Sequence, residues 1–399
     1  MWEFAVVQQV LVAPDKFKGS LTAAEVAARV AAGLGVPAVE LPVADGGDGT
    51  VDAAVACGFT RVTVEVTGPT GQPVTASYAW HPTGAPSAEG GGVPTAVIEV
   101  AESSGLRRLP GGPEPLTATS HGAGELIADA VRRGARRVVL GLGGSATTDG
   151  GAGMVQALGA RLLDAEGHDL PPGGAALKTL DRIDVTGFLD VSGVEFVVAS
   201  DVDNPLLGPS GAAAVYGPQK GATPDDVKVL ESALSRFAAV ATRTHGLVGA
   251  VEHDDIPRPM GVAGAPGAGA AGGIGFAALA FLRADLRPGI AYFLDLLGFG
   301  ELVRDARLVV TGEGSLDEQS LRGKAPVGVA QAAAKAGVPV VAVCGRRTLT
   351  DEELKAVGIE AAYALTDLEP DPARCMAEAG ELLERLAARV AAEHLGAVR

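Results

Sequence analysis

Short, continuously apolar segments alternate with longer amphipathic ones near both ends of the chain. Val10–Ala13 is an apolar run that predicts a buried strand, and the Ala-rich stretch Thr22–Gly33 predicts a helix. Thr22 is followed three positions later by Glu25, which is the pattern of a capping box at the start of a helix. The same alternation returns after Leu302, where we predict strand 307–311, helix 324–336 and strand 338–343. Apolar strands separated by helices are typical of a mainly parallel sheet covered by helices.

The segment after residue 60 has a different period. From Arg61 to Thr67 apolar and polar residues alternate strictly, which predicts a strand with one exposed face. Gly68–Gly71 is a turn signal, and Gln72–Trp80 can pair back as the second strand of a hairpin. A half-exposed antiparallel hairpin differs from the buried strands on either side of it, so we place a domain boundary here.

Two domains are therefore predicted. Residues 1–61 and 290–399 would form one discontinuous α/β domain, and residues 62–289 would form an α/β domain inserted into it. The Gly- and Pro-rich stretch 82–94 within the insertion is predicted to be a surface loop.

Composition narrows the class of protein. The 399 residues are 47% apolar and carry a formal net charge of −16, which indicates a folded protein and argues against nucleic acid or an anionic membrane as partner. Because the chain as a whole repels anions, any anion-binding site must be built locally from Lys, Arg, backbone N–H groups or Mg²⁺. The three cysteines are scattered without a C-x-x-C pair, and no apolar run is long enough to span a bilayer, so we expect a cytoplasmic protein. The sequence does not decide whether the protein forms a homo-oligomer.

Ligands of open parallel sheets bind beyond the carboxyl ends of the strands, so loops that follow predicted strands are the candidates for chemistry. Such loops are rich in Gly, Asp and Lys at 13–20, 44–50, 141–151, 200–205 and 311–317.

The glycine-rich loop 141–151 leads from a predicted strand into a predicted helix. Its backbone N–H groups suit a phosphate, although a tight strand-to-helix turn is the plainer interpretation of any single glycine-rich loop. Residues 267–272 match G-x-G-x-x-G, but no strand precedes them, so a dinucleotide fold is not indicated. G-x-x-x-x-G-K-[ST] is absent, which excludes a P-loop enzyme.

The acidic and basic loops suggest complementary roles. Asp45 and Asp48, set among glycines, suit Mg²⁺ held through one or two carboxylates, with an Asx-capped turn as the alternative. Lys16 and Lys18 precede a helix and could clamp a carboxylate or phosphate, with plain solvated charge as the alternative. Asp201, which follows another predicted strand, could accept a hydroxyl proton.

Taken together these loops resemble the bacterial type-one glycerate kinase family, over about Val10 to Gly345. The resemblance is carried by six segments in order: VLVAPDKFKGSLTAAEVA, PVADGGDGTV, GLGGSATTDGGAGMVQALGA, DVDNPLLGPSGAAAVYGPQKGA, PGAGAAGGIGFA and VVTGEGSLDEQSLRGKAPVGVA. It implies a flavodoxin-like parallel-sheet domain interrupted by a second, mixed α/β domain, with the active site in the cleft between them. It also implies phosphorylation of D-glycerate by ATP, at the 2-hydroxyl in most members, with Mg²⁺. At Thr148 and Asp203 the chain departs from the family pattern, and neither is given a role.

Phosphoryl transfer requires positioned reactants and stabilised charge, and the candidate residues are sorted accordingly. Lys16 and Lys18 are predicted to hold the glycerate carboxylate, and Lys324 to counter phosphate charge. Five carboxylates are candidates for binding Mg²⁺ or activating the substrate hydroxyl, with their roles undivided: Asp45, Asp48, Asp149, Asp201 and Glu313. Asp201 is the first choice of proton acceptor, and Asp45 and Asp149 are further catalytic candidates. The predicted phosphate-binding residues are Gly143, Gly144, Ser145, Thr147, Gly312, Glu313, Gly314 and Ser315, and the predicted metal ligands are Asp45, Asp48 and Glu313.

Two other functions remain open on the sequence alone. One is a kinase for another small hydroxy-acid or sugar acid. The other is a non-catalytic metabolite-binding regulator on the same fold, which would release no ADP.

Overall fold

The computed structural model describes residues 9–84, 92–244 and 261–396, and all structural statements below concern these residues. The predicted surface loop 82–94 lies partly outside them. The strands are β1 (Gln9–Pro14), β2 (Ala38–Glu40), β3 (Thr60–Thr67), β4 (Pro73–His81), β5 (Thr95–Glu99), β6 (Arg137–Gly141), β7 (Arg161–Leu163), β8 (Arg182–Asp184), β9 (Glu195–Ala199), β10 (Asp285–Arg287), β11 (Ala306–Leu316), β12 (Val340–Arg347) and β13 (Ala361–Ala364). The helices are α1 (Ala23–Leu34), α2 (Thr50–Ala56), α3 (Val100–Ser104), α4 (His121–Arg132), α5 (Ala152–Ala157), α6 (Ala212–Tyr216), α7 (Pro224–Thr244), α8 (Ala270–Phe281), α9 (Gly289–Leu296), α10 (Phe299–Leu302), α11 (Ala325–Lys335), α12 (Asp351–Ala356), α13 (Pro372–Ala377) and α14 (Ala379–His394).

Both ends of the chain build one five-stranded sheet, in the order β13-β12-β11-β1-β2, in which every pair is parallel. Counted along the chain within this sheet, the order is 2-1-3-4-5, which is that of flavodoxin-like folds. The expected flavodoxin-like sheet is therefore confirmed.

The strands of this sheet are buried on both faces because alternate residues enter two separate cores. Leu11 packs with residues of α11, whereas Val10 and Val12 pack with α1 and α14. Helix α1 begins at the predicted capping box: Thr22 Oγ1 accepts from the Glu25 backbone N–H at 3.2 Å, and Glu25 Oε2 accepts from the Thr22 N–H at 2.8 Å. The pattern of apolar residues had indicated this layering.

The middle of the chain builds a mixed six-stranded sheet in the order β10-β9-β6-β5-β4-β3. β3 and β4 form the predicted antiparallel hairpin, with Val66 opposite Val74, and β4 is also antiparallel to β5. The pairs of β5 with β6, β6 with β9 and β9 with β10 are parallel. The chain is thus a two-domain α/β protein, and we propose domain bounds of 1–61 with 290–399 and 62–289.

The two sheets meet through a small apolar core. Val51 and Ala54 of α2 and Phe293 and Leu296 of α9 pack there with residues of the six-stranded sheet. Other residues of α9, such as Leu294, enter the core of the five-stranded sheet instead. The two helices therefore hold the carboxyl edges of both sheets close to each other.

One predicted boundary was wrong. Strand 307–311 was expected to give way to a loop, but β11 continues to Leu316 and pairs with β12, with Glu313 opposite Cys344 and Ser315 opposite Arg346. A Cβ at Gly312 would lie 2.2 Å from the Val343 carbonyl oxygen, so the strands approach closely where this glycine stands. Glu313 and Ser315 consequently sit on a strand rather than on a loop.

Candidate active site

A cleft of about 500 Å³ lies at the carboxyl edge of the five-stranded sheet. In this sheet the chain leaves β1 toward β2 on one side, while β11 to β13 lie on the other, so the gap between β1 and β11 is the topological switch point where ligands bind in such folds. The cleft is lined by the loop after β1, the ends of β11 and β12, the segment after β13 and helix α13. Its polar lining residues include Asp15, Lys16, Lys18, Ser20, Asp45, Glu313, Ser315, Lys324, Arg346 and Thr366.

The loop after β1 is held rigidly around Phe17, which is 3% exposed. Phe17 N–H donates to the Leu21 carbonyl at 2.9 Å, and the Ser20 N–H donates to the Phe17 carbonyl at 2.9 Å. This anchoring leaves Lys16 and Lys18 on either side of a buried ring. The two predicted lysines therefore reach the cleft from a defined turn.

Asp15, in the same loop, is buried, with 7% exposure. Its Oδ1 accepts from the Lys16 backbone N–H at 2.6 Å and lies 3.4 Å from Lys16 Nζ. Burial raises the pKa of Asp15 to about 7. Burial alone would lower the pKa of Lys16, but Asp15, Asp45 and Asp48 together raise it, so the lysine is charged in a strongly negative surrounding.

The end of β11 adds a second charged pair. Glu313, 7% exposed, accepts a short hydrogen bond from Ser320 Oγ, and its Oε2 lies 3.8 Å from Lys324 Nζ. Burial raises the pKa of Glu313, against the opposing effect of Ser320 and Lys324. On the neighbouring strand, Arg346 Nε donates to Ser315 Oγ at 3.1 Å.

Two cations of the cleft have no acidic partner within the described part of the chain. Lys18 is exposed and makes no ion pair there, and Arg346 bonds only to the neutral Ser315. Lys324, by contrast, lies beside Glu313. Uncompensated cations beside open backbone are the arrangement that an anionic ligand requires.

The loop after β2 joins this cleft to the second sheet. The Gly46 carbonyl accepts from the Gly143 N–H at 3.1 Å, and a Cβ at Gly46, whose φ is +91°, would lie 2.5 Å from the Ala199 carbonyl oxygen. Only glycine permits this approach. The same loop places Asp45 in the wall of the cleft, so both sheets define its position.

Asp48, in the same loop, lines a smaller cavity of about 320 Å³ that shares Lys16 and Lys18 with the cleft. Arg107 Nη1 lies 3.6 Å from Asp48 Oδ1, and its Nη2 lies 3.1 Å from Glu99 Oε1. Glu99 is 1% exposed, and its Oε2 also accepts from the Gly49 N–H at 3.0 Å. Arg107 and Glu99 therefore tie the acidic loop to the second domain.

The carboxylates of the cleft fit a Mg²⁺ ion that is bound partly by the substrate, but not one held by side chains of the described residues alone. Within the described ranges, no three His, Cys, Asp or Glu side chains are grouped closely enough to hold a metal by themselves. Asp15, Asp45 and Glu313 nevertheless line one cleft, and the charge of Asp45 adds to the burial that raises the pKa of the other two. Such carboxylates suit an ion that is held through one or two protein ligands and by substrate phosphates.

Comparison with known proteins agrees with the motifs. The model of the glycerate kinase family matches residues 10–395. The chain belongs to the glycerate kinase family. It is 43% identical over 393 residues to a protein named glycerate kinase from Bacillus subtilis (strain 168), covering 96% of this chain and 97% of that one. It is 43% identical over 369 residues to one named glycerate 2-kinase from Escherichia coli (strain K12), covering 90% of each.

A solved structure supports the same family and the fold. The crystal structure of a Salmonella typhimurium LT2 protein assigned as glycerate kinase 2 is 40% identical to this chain, with a TM-score of 0.79 over 97% of this chain and 98% of the other. The two-domain α/β architecture is thus that of a glycerate kinase structure. In addition, none of the helices that are described here combines the length and apolarity needed to cross a membrane.

The structure gathers some of the predicted site residues of this glycerate kinase in one cleft. Lys16, Lys18, Asp45 and Lys324 lie in its wall, and so do Glu313, Gly314 and Ser315. Gly312 lies within β11 beside Val343, and Asp48 lies in the adjoining smaller cavity.

The glycine-rich loop after β6 is placed differently. Asp149 is 0% exposed and accepts from Ser120 Oγ at 2.8 Å and from the Gly153 N–H at 3.2 Å, so its carboxylate holds the start of α5. Ser145 is 6% exposed, Thr147 is 0% exposed, and both contact the buried Lys220. These side chains do not reach the cleft, whereas the partly exposed Gly143 and Gly144 lie beside Gly47 and Asp48.

Asp201 is also outside the wall of the cleft. It lines a neighbouring cavity of about 660 Å³ beside α9 and α11, and its Oδ1 accepts from the Gly289 N–H at 2.8 Å. Burial, with a smaller contribution from the charge of Asp45, raises the pKa of Asp201 to about 6. Asp201 thus lines a different cavity, although it is close enough to Asp45 for the charge of that carboxylate to act on it.

Two residues of the cleft, Asp15 and Arg346, and the interior Lys220 were not singled out from the sequence. Asp15 stands next to Lys16 in a loop that had been chosen, and its burial is visible only in the fold. Arg346 follows a predicted strand, so the rule of carboxyl ends would have indicated it. Lys220 carries no local signal, because its contacts come from residues more than 70 positions away.

Proposed function

We propose that this glycerate kinase transfers the γ-phosphoryl group of ATP to the 2-hydroxyl of D-glycerate, in the cleft between β1 and β11. The observation that carries this proposal is the pair of cations, Lys18 and Arg346, that face the cleft without an acidic partner in the described ranges. Both substrates are anions, and cations without a carboxylate partner at a topological switch point can bind them.

The phosphates are proposed to lie at the ends of β11 and β12. Arg346 and Lys324 supply positive charge there, and Ser315 supplies a hydroxyl. Gly314 removes the bulk of a side chain from the same place, because a Cβ on it would lie 3.3 Å from the Lys18 backbone nitrogen. Backbone and cations together then surround the transferred group, which is the main requirement of phosphoryl transfer.

The glycerate carboxylate is proposed to bind Lys16 and Lys18 where the cleft opens into the smaller cavity. Lys18 has a free ammonium group there, within the described residues, and Lys16 is kept charged by its acidic neighbours. The N-terminus of α1, close by, favours negative charge as well. Such a clamp would fix the acid while leaving its hydroxyl free to approach the phosphates.

Mg²⁺ is proposed to be held by the phosphates together with Asp45 or Glu313, and when bound it would neutralise part of the charge on the transferred group. Without a metal ion, the carboxylates of the cleft would repel the phosphates of ATP. A cation bound between the carboxylates and the phosphates would offset this repulsion. We also propose a cytoplasmic location, since Cys57, Cys344 and Cys375 are all free thiols.

The deciding experiment is to incubate the purified protein with D-glycerate, ATP and Mg²⁺ and to identify the product by NMR. We expect 2-phosphoglycerate with one ADP per product. Formation of 3-phosphoglycerate would contradict the choice of hydroxyl alone. A preference for a larger hydroxy-acid in a substrate panel would contradict glycerate, and absence of ADP release with every acid would favour a regulator.

A further inference from the structure

The cleft has an apolar part that the transfer of a phosphoryl group between two anions does not need. It is formed by Leu365 after β13 and by Pro372, Cys375 and Met376 of helix α13, together with the buried Phe17. Leu365 and Cys375 are 1% and 5% exposed, so they form a packed floor. Cys375 Sγ donates to the Glu369 carbonyl at 2.8 Å, and burial raises the pKa of its thiol, so this residue presents an inert surface.

Met376 differs from the rest of this wall because it is 51% exposed. Among the described residues only Leu106 and Val215 are other large apolar side chains with comparable exposure. The Met376 methyl group reaches across to the loop after β1, since a Cβ on Gly19 would lie 3.1 Å from Met376 Cε. An unbranched, polarisable side chain that spans the mouth of a cleft can adapt to a flat ring.

The charged and apolar residues follow the order of the strands. Lys16 and Asp45 come after β1 and β2, Glu313 and Arg346 stand on β11 and β12, and Leu365 comes after the edge strand β13. The apolar wall is therefore continuous with the cationic end of the same cleft rather than a separate groove. A ligand that fills both must carry phosphates at one end and an uncharged, flat, apolar group at the other.

We propose that the wall formed by Leu365, Pro372, Cys375 and Met376 is the subsite for the adenine ring of ATP, with Met376 packing on one face of the ring. The Thr366 hydroxyl, which lines the same part of the cleft, is a polar group for the edge of the base. This inference rests on the proposed function for the presence of ATP. The base then lies at the β13 end of the cleft, and the phosphates extend from it toward Lys16.

The test compares Met376→Ala with Val215→Ala. Val215 is 43% exposed on α6, outside the cleft, and so is a matched control for loss of an exposed apolar side chain. Removing one face of the base subsite should raise KM for ATP about five- to tenfold and leave kcat and KM for D-glycerate unchanged, because the base binds equally in ground and transition states. Val215→Ala should change none of these values.

A second measurement separates the base from the phosphates and needs no turnover. Calorimetry should detect binding of adenosine to the wild-type protein, and weaker binding to Met376→Ala, whereas the affinity for inorganic triphosphate should be equal in the two proteins. The inference is overturned if adenosine does not bind, if Met376→Ala weakens triphosphate equally, or if the variant raises KM for glycerate instead. If the wild type binds adenosine but phosphorylates no acid, the proposed function fails and the base subsite stands.

Discussion

Gly289 is the residue at which a single methyl group should disturb the candidate site most directly. It is the first residue of α9, and a Cβ on it would lie 2.3 Å from the Asp45 carbonyl oxygen and 3.0 Å from Asp201 Oδ2. Carbon and oxygen atoms normally approach to about 3.3 Å, so Gly289→Ala must displace the Asp45 loop by about 1 Å.

The displacement should affect activity more than stability. A misplacement of about 1 Å in a catalytic group can cost about 10²-fold in rate, and Asp45 lines the cleft. The overpacking should cost about 1–3 kcal/mol of folding free energy, offset by up to about 1 kcal/mol because alanine is the better helix former. We therefore expect a folded variant whose kcat/KM for D-glycerate is lowered by one to two orders of magnitude.

Gly300→Ala is the matched control. Gly300 lies in α10, is exposed, and has no atom within 4 Å of an added Cβ. A coupled assay of ADP release gives kcat/KM for each protein, and thermal unfolding gives its stability. Gly300→Ala should keep wild-type activity, and the reasoning is refuted if Gly289→Ala also keeps kcat/KM within a factor of about three.

Two further outcomes follow from the buried titratable groups. Removing the carboxylate that accepts the substrate proton should lower kcat about 10²–10⁴-fold. Asp201 is the acceptor predicted from the sequence, whereas Asp15 lines the cleft, so we expect the larger loss from Asp15→Asn; a larger loss from Asp201→Asn in steady-state kinetics would support Asp201 instead. Burial lowers the pKa of Lys220 to about 7, from an ordinary value of 10.5. Between these two pH values the unfolded chain binds a proton that the folded protein does not. The free energy of unfolding should therefore rise with pH in this window, by at most about 1.4 kcal/mol per pH unit. Melting temperatures across that window should rise less steeply for Lys220→Met than for the wild type, and equal slopes would contradict this origin.

Much of the fold could be predicted because its signals are local. The capping box of Thr22 and Glu25 begins α1 through contacts three residues apart, and the alternation from Arg61 to Thr67 produces a hairpin strand. Likewise, buried strands must be followed by loops at one edge of a parallel sheet, which is why Lys16, Lys18 and Asp45 could be placed in a site.

Local patterns give less guidance where partners distant in sequence decide the environment of a residue. Gly312–Ser315 had the composition of a loop, but pairing with β12 extends the strand through them. Ser145 and Thr147 had the composition of a phosphate loop, and the structure shows that Lys220 Nζ donates to Ser145 Oγ and to the Thr147 backbone carbonyl from the interior. A buried lysine must satisfy its donors, and this requirement outweighs the exposure that the glycines alone would suggest.

By itself, the sequence determined the family, the two kinds of sheet and the candidate loops, several of which line the cleft, because periodicity, caps and motifs act over a few residues. Only the tertiary structure decided which side chains of those loops share a cavity. Asp15 became a buried carboxylate beside Lys16, while Asp149 became a buried carboxylate bonded to Ser120 and to the backbone at the start of α5, and Asp201 lines a neighbouring cavity. Burial and contact between distant segments set those environments, and no local pattern encodes them.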